Sequence, residues 1–213
     1  LICSDDVKRE LTKLNIYKRF GPDQVHPQLL KSLASDNGFV LAVTQLFEKC
    51  TTDGILPKVW KEASVIALYK SGKKTQPLNY RPVSLTCIIC KVYEQIIRKQ
   101  IVGFLEDKIN KHQHGFVQGK SCLTNLLETF DTIFHILGEG SPVDILYFDF
   151  SKAFDRVPHY RLISKLESIG IRGRVLSVIK DFLSNRTLKV CVNGKYSMTK
   201  EVLSGVPQGS VLG

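Results

Sequence analysis

The residues YFDFSKAFDRVP, 147–158, decide how this chain is read. They close an apolar run, residues 143–149 (VDILYFD), whose composition predicts a buried strand ending in a carboxylate, Asp149. A carboxylate leaving a strand beside a turn suits a divalent cation, because magnesium is usually held by one or two carboxylates together with substrate phosphate oxygens. The competing reading of Asp149 is a polar group satisfied at a strand end. Asp155, past the turn, reads as a helix-start or structural carboxylate.

Two other blocks share this polar, phosphate-directed character. Lys70 and Arg81 flank a polar loop that ends in Asn79-Tyr80-Arg81-Pro82. A point-charge lysine and a forked guanidinium can close over a triphosphate, although a loop of this kind can equally be a solvated surface. Ser204–Gly213 (SGVPQGSVLG) carries three glycines that let backbone approach a ligand, with Gln208 as donor and acceptor.

The chain has 213 residues and a net charge of +10. Residues 51–100 hold nine basic and three acidic side chains, a field that suits nucleic acid or another polyphosphate. No apolar run reaches the ~18 residues of a membrane span, so no membrane partner is expected. The six cysteines are widely spaced in a chain too large to need staples, which points to a reducing, intracellular compartment. Cys87 and Cys90 form a lone C-x-x-C with His112 and His114 downstream; the spacing is wrong for a short zinc finger and reads as helix core.

Periodicity predicts helices from Ser4 as cap through Val7, Leu11, Leu14 and Tyr17, and then at 27–34, 39–52, 88–107, 160–169 and 172–183. A further helix runs from a cap at Ser121 to about Gly138. Strands are predicted at 63–69 and 143–149. Residues 70–81 and 111–121 read as loops. Residues 188–198 form a hairpin turning on Asn193-Gly194. The class is α+β, with a small antiparallel sheet.

In order and wording the chain resembles the reverse transcriptases of non-LTR (LINE-type), jockey-like retrotransposons. Six phrases carry the likeness: GPDQVHPQLLKSLA, LPKVWKEASVIALYKSGKK, NYRPVSLT, HGFVQGKSCLTNL, YFDFSKAFDRV and SGVPQGSVLG. The resemblance implies a right-hand polymerase. Residues 1–142 would be a helical, basic fingers region with the nucleotide-binding loop. Residues 143–213 would be a partial palm, helical at 160–185. It implies an RNA template, a DNA primer and deoxynucleoside triphosphates as partners, and two Mg2+ ions with Mn2+ as substitute. Nucleus and cytoplasm are both open, as is oligomeric state.

By the same resemblance Asp149 is the first catalytic aspartate and a metal ligand, joined by the carbonyl of Phe150. Phe154 is the aromatic gate under the incoming sugar. Lys70 and Arg81 hold the triphosphate, and Gln208 lies beside the nucleotide. Gln113, Gly115, Phe116 and Gly119 lie near the template strand. The family's second metal block, an Ala-Asp-Asp hairpin, is expected beyond Gly213, and the adjacent pair Asp5-Asp6 belongs to a helix start instead. The expectation is therefore a fragment cut at both ends and inactive alone. A decayed copy that only binds nucleic acid, and a group II intron maturase-like protein, are the alternatives.

Overall fold

The computed structural model describes residues 2–213. In chain order the elements are α1 (Ser4–Thr12), α2 (Pro27–Ser32), α3 (Asn37–Asp53), β1 (Glu62–Tyr69), β2 (Tyr80–Leu85), α4 (Ile88–Leu105), α5 (Cys122–Gly138), α6 (His159–Ser168), α7 (Gly173–Leu183), β3 (Thr187–Val192), β4 (Lys195–Tyr196) and β5 (Lys200–Glu201). They fall into two units. The larger comprises residues up to Val102 together with Lys152–Gly213, the smaller Gly103–Ser151.

The larger unit is built on a sheet ordered β2-β1-β3-β4, with β5 also paired to β3. β1 and β2 are antiparallel, from Ser64 opposite Leu85 to Tyr69 opposite Tyr80. β1 and β3 are parallel, Glu62 opposite Thr187. The sheet is thus mixed, where an antiparallel one was expected. A parallel pair needs a long crossover, and here more than a hundred residues separate the two strands. Tyr80 and Arg81 were expected in the loop and instead open β2, which tolerates Pro82 because it lies at the sheet edge, where a strand can spare one backbone donor.

Helices α3, α4 and α7 supply the core. Phe47, Trp60 and Tyr93 pack edge-on or tilted with centroids 5.1–6.0 Å apart, and the Tyr93 hydroxyl meets Thr51 Oγ1 at 2.9 Å. Cys87 and Cys90 are fully buried; the Cys90 thiol donates to Glu94, and that of Cys87 to the Val59 carbonyl. Asp181 on α7 accepts from the Leu56 amide at 2.7 Å and from Lys61 Nζ at 2.6 Å, fixing the chain just before β1. This removes Lys61 from any surface field.

Two sequence expectations fail here. Residues 143–149 form no strand, and Leu146, Tyr147, Phe148 and Phe150 are 79–89% exposed. An extended run is stable only when its backbone groups find a ladder, and no strand among the described residues pairs with it. Helix α1 stops at Thr12, short of Leu14 and Tyr17, because the Asn15 side chain accepts from the Tyr17 amide and draws the chain into a turn. Tyr17 is 90% exposed, and Cys3 rather than Ser4 stands at the N-cap.

Candidate nucleotide and nucleic-acid site

The β1–β2 hairpin ends in a polar loop stiffened by its own bonds. The Lys70 amide donates to the Asn79 carbonyl at 2.9 Å, Asn79 Nδ2 to the Lys73 carbonyl, and the Tyr80 hydroxyl to the Lys74 carbonyl. The Tyr69 and Tyr80 rings meet edge-on at 5.6 Å, with Lys74 Nζ over Tyr69. Lys70 and Arg81 stand exposed at the base of this loop, and neither forms an ion pair among the described residues. The loop is therefore a rigid perch for mobile cations.

The glycine-rich segment lies against the other end of β2. The Ser84 amide donates to the Gln208 carbonyl at 2.7 Å. Gly209, at φ +108°, comes so close to this strand that an added Cβ would sit 2.7 Å from the Ser84 carbonyl oxygen. A second set of bonds zips the segment to residues 154–159. The Gly205 amide donates to the Val157 carbonyl, the Val206 amide to the Phe154 carbonyl, and Gln208 Nε2 to Asp155 Oδ1 at 2.7 Å. His159 Nε2 meets the Gly205 carbonyl at 2.7 Å. Gly205 is required here: at φ +80°, its Cβ would lie 2.6 Å from the Asp155 carbonyl oxygen.

Phe154 and Gln208 are thus brought together through the backbone, with Asp155 between them. A cavity of about 320 Å3 is lined by Val65, Val190, Val202, Val206, Asp155, Gln208 and Arg186, among others; Phe154 does not line it. Lys70 and Arg81 stand outside its lining. Beneath the segment, the fully buried Glu94 accepts from the Val211 and Leu212 amides at 2.7 and 2.9 Å. Burial raises the Glu94 carboxyl above its ordinary range against the pull of those two amides. Arg186, also buried, donates to the Phe182 carbonyl while its Nη2 has no hydrogen-bond partner among the described residues, and burial lowers its pKa.

Asp155 is the helix-start, structural carboxylate that was expected, in the short 3-10 turn Phe154–Arg156; its partner, 53 positions away, was not foreseen, and Glu94 was not singled out. Glu94 did leave a signal: it occupies the apolar stripe of α4 with Cys90, Tyr93 and Ile97, where an unpaired charge would be costly.

The remaining predicted residues belong to the smaller unit. Asp149 and Phe150 lie in the irregular, exposed segment that precedes Ser151. One carboxylate and one carbonyl are oxygen donors of the kind magnesium takes. No group of three His, Cys, Asp or Glu side chains among the described residues is arranged to hold a metal ion, so these donors by themselves do not make a two-metal centre. In the loop before α5, Gln113 Nε2 donates to the Gly115 carbonyl at 3.0 Å, and Phe116 (φ +63°) and Gly119 (φ +78°) take left-handed turns. Phe116 is 90% exposed. Helix α5 begins on the expected Ser121, which with Thr124 forms a reciprocal capping box.

A cationic loop at one end of β2 and a glycine-rich segment carrying Gln208 at the other are the features this unit offers a ligand. Residues 71–213 match the reverse transcriptase (RNA-dependent DNA polymerase) family, and the chain belongs to that family. Over 215 residues and the whole of this chain it is 31% identical to the RNA-directed DNA polymerase from mobile element jockey of Drosophila melanogaster. It is 30% identical over 212 residues to a probable RNA-directed DNA polymerase from transposon BS of the same fly. It is 26% identical to the Pol polyprotein of the type-1 retrotransposable element R1 of Bradysia coprophila, over 98% of this chain. The chain spans 23% of the length of the first two and 20% of the third. These relatives agree with the jockey-like resemblance read from the sequence. No helix among the described residues is long and apolar enough to cross a membrane.

Proposed function

We propose that this chain is the nucleotide-gripping and template-facing part of a retrotransposon RNA-directed DNA polymerase. The reaction is extension of a DNA 3′-end by deoxynucleoside triphosphates on an RNA template. The observation that carries the reading is the zipped pair of segments, 154–159 and 204–209, hung on the same strand whose other end carries Arg81. Lys70 and Arg81 grip the triphosphate, Gln208 lies against the nucleotide, and Phe154 bounds the sugar. Gln113, Gly115, Phe116 and Gly119 face the template. Residues 1–142 act as fingers and 143–213 as part of a palm. Asp149 and the Phe150 carbonyl contribute to a magnesium site, for which manganese is the substitute, and further ligands are needed to complete it.

Calorimetric titration of a deoxynucleoside triphosphate into the chain tests the grip. Each charge-assisted contact contributes about 1.5–3 kcal/mol, so the Lys70→Ala/Arg81→Ala double variant should bind at least about tenfold more weakly. Equal affinity in a folded double variant overturns the assignment.

A further inference from the structure

The smaller unit contains a side-chain cluster that the proposed polymerase roles leave unused. Glu128, on the second turn of α5, holds both histidines of the preceding loop at once. One carboxylate oxygen is hydrogen-bonded to His112 Nδ1, and the other lies 2.7 Å from His114 Nε2. His114 is buried, and its Nδ1 lies 2.8 Å from Thr124 Oγ1, the same threonine that closes the capping box with Ser121. Lys120 Nζ donates to the Lys111 carbonyl and ties the two ends of the loop together. The loop between these fastenings is the one that carries Gln113, Gly115, Phe116 and Gly119.

We propose that Glu128 is a positioning residue for nucleic-acid binding: through His112 and His114 it holds the 111–121 loop in the shape that presents this loop to an RNA strand. The inference rests on the template-facing role given to the loop above. Its chemistry follows from proton counting. A carboxylate only accepts, so His114 Nε2 carries a proton. The single Thr124 hydroxyl proton can go to the Ser121 carbonyl, 2.9 Å away, or to His114 Nδ1. In the first case Nδ1 must also carry a proton, and the ring is a cation facing Glu128. In the second the Ser121 contact is given up. Protonating His114 therefore adds one hydrogen bond and one charge-assisted pair to the latch. The two ring contacts, that of His112 first, already hold the Glu128 carboxyl below its ordinary range. Asp144 shares a groove of about 370 Å3 with His112 and Glu128, and the loop itself carries Lys111 and Lys120, the latter with its Nζ on the Lys111 carbonyl.

The experiment measures binding of a short fluorescein-labelled single-stranded RNA to the chain between about pH 6 and pH 8, the range in which histidines commonly change charge. Glu128→Gln and Glu128→Ala are compared with the unaltered protein. Helix content is checked by circular dichroism, and the histidine ring N–H resonances are followed by NMR. The unaltered chain should bind RNA more tightly at the acid end and show protected His114 ring protons. Both variants should lose about tenfold in affinity at the acid end, flatten the pH profile and lose those resonances while keeping α5. Unaltered affinity and profile in folded variants overturn the latch. RNA binding that is absent in the unaltered chain, or insensitive to Phe116→Ala, overturns the template-facing reading instead. Preference for an RNA–DNA hybrid over the single strand, with the same Glu128 dependence, keeps the latch and changes its occupant.

Discussion

Gln208 donates its amide to the Asp155 carboxylate at 2.7 Å, and this bond joins two segments 53 positions apart. A glutamine at the lip of a cavity has several rotamers open to it. The carboxylate selects one, in which Nε2 is committed to Asp155. On the nucleotide-binding role proposed for Gln208, Asp155 would act through another residue, and its backbone carbonyl, accepting from the Ser204 hydroxyl, strengthens the same junction.

Asp155→Ala should weaken deoxynucleotide affinity about three- to tenfold, the loss of one hydrogen bond and of the rotamer restriction that it imposes. Asp155→Asn can keep an accepting oxygen toward Gln208 and should fall between the two. Titration of a deoxynucleoside triphosphate, paired with thermal melting, separates binding from stability. If Asp155→Ala melts earlier yet binds as well as the unaltered chain, Asp155 is structural only.

The basic field of residues 51–100 is narrower than its sequence count implies. Lys61 is buried against Asp181, and Lys99 is paired with Glu10. Of the seven basic side chains left, Lys70, Lys73, Lys74 and Arg81 are gathered on the hairpin, while Lys58, Lys91 and Arg98 lie elsewhere in the segment. Each phosphate neutralised on a single strand adds about 0.7 to the slope of log affinity against log salt. Replacing all four with alanine should lower that slope by up to about 3, whereas Lys99→Ala should leave it unchanged. Equal slopes for the quadruple variant and the unaltered chain would remove the hairpin from the nucleic-acid surface.

Glu94 makes stability depend on pH in the sense opposite to a surface ion pair. Its carboxyl is raised in the folded chain, chiefly by burial, so folding favours the protonated form. Its contribution is fully present below the ordinary carboxylate range and is lost as pH rises through the raised folded value. Glu94→Gln keeps an oxygen for the Val211 and Leu212 amides and cannot ionise. Arg186 is the last of the influences on Glu94, so losing that charge matters less than removing the ionisation. Urea unfolding at mildly acidic and at alkaline pH should show Glu94→Gln gaining on the unaltered chain as pH rises. Glu94→Ala should lose about 1–3 kcal/mol for each stranded amide at either pH. A pH dependence identical in the glutamine variant would place the titration elsewhere.

Local chemistry was the legible part of this fold. The Asn193-Gly194 turn was readable because both residues take positive φ, 50° and 77°, which few other pairs accept. The Ser121 cap was readable because Thr124 answers it three residues later. What depends on distant partners was not. Residues 143–149 have strand composition, yet composition carries no information on whether a ladder partner is at hand. The parallel pairing of β1 with β3, and the roles of Asp155 and Glu94, each join segments separated by dozens of residues. The site residues named by resemblance were legible as words. Their mutual geometry was not, and Asp155, inside the quoted phrase, was set aside for that reason.

Phe154 offers the sharpest separation between a role in sugar selection and an ordinary packing role. Its carbonyl accepts from the Val206 amide at 2.9 Å, so the backbone at this position is fixed to the segment that carries Gln208. Its side chain is 42% exposed, more than a core aromatic would be. A ring held beside the nucleotide leaves no room for a 2′-hydroxyl, so a ribonucleotide is rejected by clash. Phe154→Val keeps the backbone bond and opens the space. Affinity for a deoxynucleotide should stay within about tenfold, while affinity for the matching ribonucleotide rises enough to shift their ratio by about tenfold or more, each 1.4 kcal/mol of relieved clash being one factor of ten. A ring that merely packs would leave a cavity instead, costing about 1–4 kcal/mol when fully buried and less at this exposure, and would weaken both nucleotides alike. Competition binding with the two triphosphates, on a variant whose melting point is known, reads the ratio directly. A ratio unchanged in the folded variant takes Phe154 out of the site.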